Sequence, residues 1–157
     1  MAWNSPPSAL DNELWGSDQR SKNKKKRVNR SKTRVLLEEF NRDTDCLDQY
    51  LETAVCFYFP EVIVMIDETN YYPEFITESR ELAEKELRDF IIRTGKKLGN
   101  CDLIEVAHKF FMSRNLINGF WSNYPKVVAD KLDRICRRFP KVTVLKNKED
   151  KFYFGKR

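Results

Sequence analysis

Glycine and histidine are scarce in this chain of 157 residues, which contains five glycines and one histidine. So few glycines leave little material for a phosphate-cradling loop. The run 93–97 (RTGKK) lacks the first glycine and the hydroxyl residue of a nucleotide-binding loop. The four cysteines form no CxxC pair, and with one histidine the chain has no paired zinc-ligand spacing. The sequence therefore predicts no bound metal and no cofactor.

Long hydrophobic runs are also missing. The longest, at 54–60 and 62–66, are far shorter than the ~18 residues that a membrane span needs. The first residues contain no apolar stretch of a secretory signal. We therefore expect no membrane contact, reduced cysteines and an intracellular location. That location is the nucleus for a eukaryotic or viral protein and the cytoplasm or nucleoid for a bacterial or phage one.

The usual catalytic constellations are missing too, because no serine or cysteine lies in a recognisable nucleophile motif. His108 shares a helical face with Ile104 and Met112, which favours a core or boundary position over a catalytic one. Asp67 and Glu68 follow an apolar run, as Mg²⁺-binding carboxylates do at strand ends. We expect a non-enzymatic protein, with a metal-dependent nuclease left open.

Charge is abundant and segregated along the chain. Residues 1–34 carry nine Lys/Arg and three Asp/Glu, residues 35–92 carry four and fifteen, and residues 93–157 carry sixteen and six. Such asymmetry concerns partners and electrostatic steering rather than the fold, although solvated helix faces also explain it. The acidic middle suits partner docking, a counter-surface for the basic arm, or a plain helical scaffold.

Residues 1–31 are predicted to form a disordered basic arm, rich in Pro, Ser, Asn and Lys without an apolar period. Leu10, Leu14 and Trp15 stand among acidic neighbours, a pattern typical of a short motif that binds a partner's groove as a helix. A stray apolar group in a flexible tail is the alternative. The basic run that contains Lys24, Lys25, Lys26 and Arg27 suits a nuclear-import signal or a phosphate-binding arm.

Residues 32–99 are predicted to form an acidic helical domain. Apolar spacing indicates helices at 32–41 and at 45–58, the second capped by Thr44 or Asp45 and stopped by Pro60. The β-branched run Val62–Ile66 predicts one short buried strand, although a buried helical turn has the same pattern. A long helix is predicted from 73 to 97, with Thr69 or Asn70 as its cap and Gly99 after its end.

Residues 100–157 are predicted to form a basic module. A helix capped by Asn100 or Asp102 comes first, a short helix at 116–121 second, and a helix from Pro125 to Phe139 third. Alternating apolar residues at 142–144 and 152–154 then predict a β-hairpin with a Lys-rich tip. Three helices followed by a hairpin resemble a winged-helix domain, a helix-turn-helix variant. The predicted fold class is therefore α+β, mainly helical, with a winged-helix-like module after the acidic domain.

The helix at 125–139 has one apolar stripe, with cations off that stripe. Lys131, Arg134 and Arg138 share one face, as reading of the major groove or of phosphates requires. The predicted nucleic-acid contacts are Lys126, Lys131, Arg134, Arg137 and Arg138 on the helix, Lys146, Lys148 and Lys151 on the hairpin, and the arm's Lys24–Arg27. Asp130 and Asp133 could instead pair with Arg134 or Arg137 and weaken the site.

The sequence thus predicts a non-enzymatic nucleic-acid-binding protein, with DNA favoured over RNA. The alternative is an adaptor that assembles a protein complex through its acidic middle and the Leu10/Leu14/Trp15 motif.

Overall fold

The computed structural model describes residues 32–156. Within them the chain is mainly helical, with one small antiparallel sheet. The helices are α1 (32–42), α2 (Asp45–Tyr58), α3 (Glu61–Thr69), α4 (Thr77–Leu98), α5 (Leu103–Arg114) and α6 (Lys126–Cys136), and the strands are β1 (Val144–Lys146) and β2 (Phe152–Phe154). The predicted class, mainly helical α+β, is confirmed.

Helices α2 and α5 make the most extensive helix–helix contact of the described residues, although the sequence places them in separate predicted segments. Thr44 is the N-cap of α2, and Asp102 caps α5 by accepting a hydrogen bond from the backbone N–H of Ile104 at 2.9 Å. Tyr50 of α2 packs on Phe110 and Phe111 of α5, with ring centroids 5.8 and 5.6 Å apart. These two predicted helices and the Asp102 cap are confirmed, whereas Thr44 occupies the N-cap position of α2 without a side-chain capping hydrogen bond.

The predicted buried strand at Val62–Ile66 is wrong, because these residues lie in α3. Only Val62 is buried, whereas Ile63, Val64 and Met65 are 47, 54 and 40% exposed. Pro60 already has helical backbone angles as N-cap of α3. A continuous β-branched run fits either state, and the tertiary structure offers it no strand partner.

Helix α4 begins at Thr77, four residues later than predicted, and neither Thr69 nor Asn70 caps it. Residues 74–76 are instead extended and pair with β2. The N–H of Ile76 donates to the Phe152 carbonyl at 3.0 Å, and the N–H of Phe152 donates to the Glu74 carbonyl at 2.8 Å. This pairing with a distant strand overrides the local helix signal of Pro73. The predicted end of α4 is confirmed, since Gly99 follows it with φ +62°.

The short helix predicted at 116–121 is also wrong. Leu116 and Gly119 have left-handed backbone angles (φ 70° and 91°), so this segment is a series of turns, although Trp121 is buried. Helix α6 begins after Pro125 as predicted but ends at Cys136, before Phe139. Residues 100–156 therefore contain two helices and a hairpin, where three helices and a hairpin were predicted.

The β-hairpin is confirmed, with Val144 opposite Phe154 and Lys146 opposite Phe152. Asn147 stabilises its tip, because its side-chain oxygen accepts hydrogen bonds from the N–H groups of Glu149 (2.9 Å) and Lys151 (3.0 Å). The hydroxyl of Tyr58 donates to the Val142 carbonyl at 2.6 Å and so ties the hairpin to α2.

One hydrophobic core joins the two predicted segments. Its buried residues run from Leu36 in α1 to Phe152 in β2, and they include Phe90 of α4 stacked on Phe110 of α5 at 4.3 Å. Gly99 lies in the short connection between these two helices, so the shared core spans the predicted boundary.

Candidate nucleic-acid interface

Helix α6 places its apolar and basic side chains on opposite faces. Leu132 and Cys136 are fully buried, and Val128 and Ile135 are partly buried against the same core. A helix turns about 100° per residue, so Arg134 points directly away from Leu132. The predicted apolar stripe of α6 is confirmed as far as Cys136.

Lys131 and Arg134 of α6, and Arg138 in the turn directly after it, have no acidic partner among residues 32–156. Lys131, Arg134 and Arg138 are exposed, and no carboxylate among residues 32–156 lies within ion-pair distance of them. An unpaired exposed guanidinium keeps all its donors available for phosphate or for a base edge. These three side chains form the basic face of α6.

The remaining cations of α6 are engaged within the protein. Lys126 pairs with Asp130 at 3.4 Å, an exposed pair of small energetic value. Arg137 donates to the side-chain oxygen of Asn118 in the connection between α5 and α6. Asp130 and Asp133, which could have paired with Arg134 or Arg137, pair with neither. One carboxylate oxygen of Asp133 is buried without a hydrogen-bond partner among the described residues.

The hairpin tip offers less free charge than its sequence predicts. Lys146 lies 3.9 Å from Asp150, and Lys151 lies 3.7 Å from Glu74. The Lys146 ammonium also lies over the rings of Phe59 and Phe152, at 6.0 and 5.9 Å. Of the three predicted hairpin contacts, only Lys148 has no partner in the described part of the chain.

Helix α6 and the hairpin are held by different neighbours. The helix packs against α4 and α5, whereas β1 packs against α2 and β2 pairs with residues 74–76. Arg114 connects the two regions, since its guanidinium donates to the Pro140 carbonyl between α6 and β1 at 2.7 and 2.9 Å.

Among the cations that sequence reasoning did not single out, five are exposed or half-exposed near the end of α4 and at the start of the described part of α1: Arg93, Lys96, Lys97, Lys32 and Arg34. None of them has a carboxylate partner within residues 32–156. The Arg93 guanidinium lies 4.9 Å from the centroid of Phe139, directly after α6. The cations in the last turns of α4 are visible in the sequence, but stabilisation of the helix dipole explains them without a binding role.

Burial opposes ionisation of three of the four thiols. Burial raises the pKa of both Cys46 and Cys136 to about 12, with smaller contributions from nearby acidic groups. Burial likewise raises the pKa of Cys101 to about 11. At neutral pH these thiols are protonated, and a protonated thiol is a poor nucleophile and metal ligand.

The histidine and the carboxylates considered for catalysis lie at the surface. The Nδ1 atom of His108 is 3.1 Å from the Thr53 hydroxyl, and partial burial lowers the pKa of the imidazole. Asp67 and Glu68 are exposed on α3, so they do not follow a strand. Within residues 32–156 no group of three His, Cys, Asp or Glu side chains is placed to hold a metal ion.

The arm at 1–31, including Lys24, Lys25, Lys26 and Arg27, lies outside the described residues, as does the Leu10/Leu14/Trp15 motif. In the described part, no helix has both the length and the apolar character needed to cross a membrane. Comparison with protein-family models, with curated proteins and with solved structures gives no match.

Proposed function

We propose that this protein binds nucleic acid without catalysing a reaction, and that the basic face of α6 is its principal contact. The observation that carries the proposal is the placement of Lys131, Arg134 and Arg138 without acidic partners, opposite the buried Leu132 and Cys136. A helix fixed to its core by one stripe can present guanidinium groups to a ligand without losing stability.

DNA fits this face better than RNA. The major groove of B-DNA is about 12 Å wide and admits an α-helix, whereas the major groove of A-form RNA is deep and narrow. Arginine can contact the O6 and N7 atoms of guanine with two hydrogen bonds, and lysine neutralises phosphate. Lys148 at the hairpin tip and the basic residues of the arm would add phosphate contacts.

The resemblance to a winged-helix domain is retained in altered form. We propose that α4, rather than a helix at 116–121, serves as the first of three helices, followed by α5, α6 and the hairpin. Its support is the packing of α6 against both α4 and α5. Fold alone does not decide function, because the same architecture also serves in protein docking.

A salt titration of duplex binding tests the proposal. We expect log K to fall with log salt with a slope of about −4, as release of counterions from four or five phosphates requires. The double variant Arg134→Gln/Arg138→Gln should weaken binding at least about tenfold and reduce the slope by about 2. Its matched control is Lys85→Gln/Lys156→Gln, which removes the same charge from exposed positions outside α6. Absence of binding at about 50 mM salt, or equal losses in both variants, contradicts the proposal.

A second candidate function, a protein–protein adaptor, is favoured by the outward face of α3. Ile63, Val64 and Met65 are exposed there, interleaved with the exposed acids Glu61, Asp67 and Glu68. A second copy would bring acids against acids, and the Leu10/Leu14/Trp15 motif has acidic neighbours of its own. The face therefore fits a partner helix that carries apolar residues among lysines or arginines.

Two synthetic helical peptides with the same apolar residues test the adaptor function, one flanked by lysines and one by glutamates. The lysine peptide should bind at least about tenfold more tightly and shift the amide resonances of α3. Val64→Asp should abolish this binding, whereas Val127→Asp, at an exposed valine of α6, should not. Equal affinity for both peptides, or equal effects of the two substitutions, rejects the adaptor function.

A further inference from the structure

We propose that the basic face of α6 continues across the last turns of α4 onto the first described turn of α1, so that three helices contact one nucleic-acid duplex. This inference rests on the proposed function and extends it from one helix to a three-helix surface. The added residues are Arg93, Lys96 and Lys97 of α4 and Lys32 and Arg34 of α1.

The first step is the orientation of α6. Arg137 is hydrogen-bonded to Asn118, which marks the side of α6 that faces the connection from α5. Because each residue advances a helix by about 100°, Lys131 lies about 120° round α6 from the position of Arg137. Lys131 therefore does not face that connection, and the other helix packed against α6 is α4. Arg138 follows the end of α6, in a turn where its N–H donates to the Ile135 carbonyl.

The second step is the position of α4 along α6. Near the end of α6, the Arg93 guanidinium lies 4.9 Å from the centroid of the Phe139 ring. The ring centroids of Phe139 and Phe90 are 6.4 Å apart. Near its beginning, the Tyr124 hydroxyl donates to the Leu98 carbonyl at 2.9 Å. The last turns of α4 therefore run beside α6, which places the exposed Lys96 between these two contacts.

The third step is the approach of α1. A Cβ atom at Gly95 would lie 2.9 Å from the Cβ of Thr33 and 3.0 Å from its Cα, so the two helices touch at this glycine. Arg88 donates to the side-chain oxygen of Asn41 at 2.8 Å and fixes the other end of α1. Helix α1 thus runs antiparallel to α4, with its first described turn beside the basic end of α4.

Positive charge predominates where these two helices meet. The last nine residues of α4, from Phe90 onward, contain no acid, and the first acid in the described part of α1 is Glu38. The nearest acids along the chain on either side of this part of α4 are Asp89 and Asp102. Stabilisation of the α4 C-terminus accounts for Lys96 and Lys97, because cations are favourable near the last carbonyl groups. It does not account for Lys32 and Arg34, which belong to a different helix. A shared polyanionic ligand accounts for all of them.

The size of the surface sets the length of duplex it contacts. Packed helices lie about 8–10 Å apart, so the path from α6 to α1 adds about 16–20 Å. At about 3.4 Å per base pair, this distance corresponds to roughly five or six base pairs beyond the contact with α6.

The experiment compares a duplex of about 8 base pairs with one of about 20 base pairs, using the full chain. The variant Lys96→Gln/Lys97→Gln removes two cations of α4, and unfolding measurements confirm that it folds. On the long duplex it should weaken binding about tenfold and make the salt slope shallower by about 2. On the short duplex its affinity should stay within about twofold of the wild type, whereas Arg134→Gln/Arg138→Gln should weaken binding to both.

The outcomes separate the two proposals. If the wild type binds neither duplex, the proposed function fails and this inference fails with it. If Arg134→Gln/Arg138→Gln weakens binding but Lys96→Gln/Lys97→Gln leaves the slope on the long duplex unchanged, the proposed function stands and the three-helix surface is overturned. Equal losses on both duplexes also overturn it, because α4 would then belong to the α6 contact itself.

Discussion

Arg114 and Glu86 form an ion pair inside the core, with a guanidinium nitrogen 2.9 Å from a carboxylate oxygen and the Arg114 side chain fully buried. The same guanidinium donates to the Tyr50 hydroxyl at 3.0 Å and to the Pro140 carbonyl. Burial by itself would lower the pKa of Arg114, but its interactions with Tyr50 and Glu86 raise that pKa above its usual value. This cation therefore joins α2, α4 and α5 and is unavailable to a nucleic acid.

Replacing Arg114 should destabilise the whole fold. Arg114→Met leaves the Glu86 carboxylate without its buried partner, so the free energy of unfolding should fall by about 3–5 kcal/mol. Urea unfolding followed by circular dichroism measures this change. The matched control is Arg80→Met, which breaks an exposed pair with Asp48 and should cost less than about 1 kcal/mol. Similar losses in both variants would contradict a structural role for the buried pair.

Gly95 should resist substitution although it lies within a helix. Gly→Ala in a helix interior normally stabilises by about 1 kcal/mol. Here the added methyl group would meet the side chain and Cα of Thr33, and such overpacking costs about 1–3 kcal/mol. We expect Gly95→Ala to lower the midpoint of thermal unfolding. Thr33→Gly should reduce stability less in the Gly95→Ala background than in the wild type, because it removes the side chain that the new methyl group meets. If the effects of the two substitutions on stability simply add, Thr33 does not contact Gly95, and the packing of α1 on α4 is contradicted.

The two valines of α3 should differ in their tolerance of charge. Val62 is 4% exposed and Val64 is 54% exposed. Val62→Asp buries a carboxylate without a partner and should lower the free energy of unfolding by more than about 2 kcal/mol, whereas Val64→Asp should change it by less than about 0.5 kcal/mol. Chemical denaturation of both variants provides the measurement. Equally large losses of stability would show that Val62 and Val64 are both buried, as the predicted strand requires.

The buried thiols should make the fold sensitive to alkali. The pKa of Cys46 and Cys136 is about 12 in the folded protein, against 9.0 for an unperturbed thiol. Because the folded state holds these protons more tightly, their contribution to stability is complete below pH 9 and is lost as pH rises toward 12. Each thiol should contribute up to about 1.4 kcal/mol of loss per pH unit in that window.

The measurement is the free energy of unfolding between pH 8 and the highest pH at which the chain still folds. Cys136→Ala lowers stability at every pH by leaving a cavity, so only the slope against pH is compared. The slope should be shallower in Cys136→Ala than in the wild type. Parallel curves would show that the Cys136 thiol ionises equally in both states.

The sequence by itself determined the parts of this protein that local physics controls. Helices α2, α5 and α6 and the hairpin follow from apolar spacing together with caps and proline or glycine stops, because those signals act over a few residues. The segregation of charge into three blocks is likewise a direct property of the sequence. The cations opposite the α6 stripe could be predicted because the face of a helix depends only on its period.

Only the tertiary structure decided what depends on residues far apart along the chain. An apolar run such as 62–66 cannot specify whether a strand partner exists, and pairing of residues 74–76 with β2 delays α4. Whether a cation is free to bind a ligand also depends on residues far away along the chain. Lys151 is paired with Glu74, Arg114 lies in the core, and Thr33 of α1 meets Gly95 of α4 although 62 positions separate them. Packing between distant segments, which no local pattern encodes, determines which charges remain free.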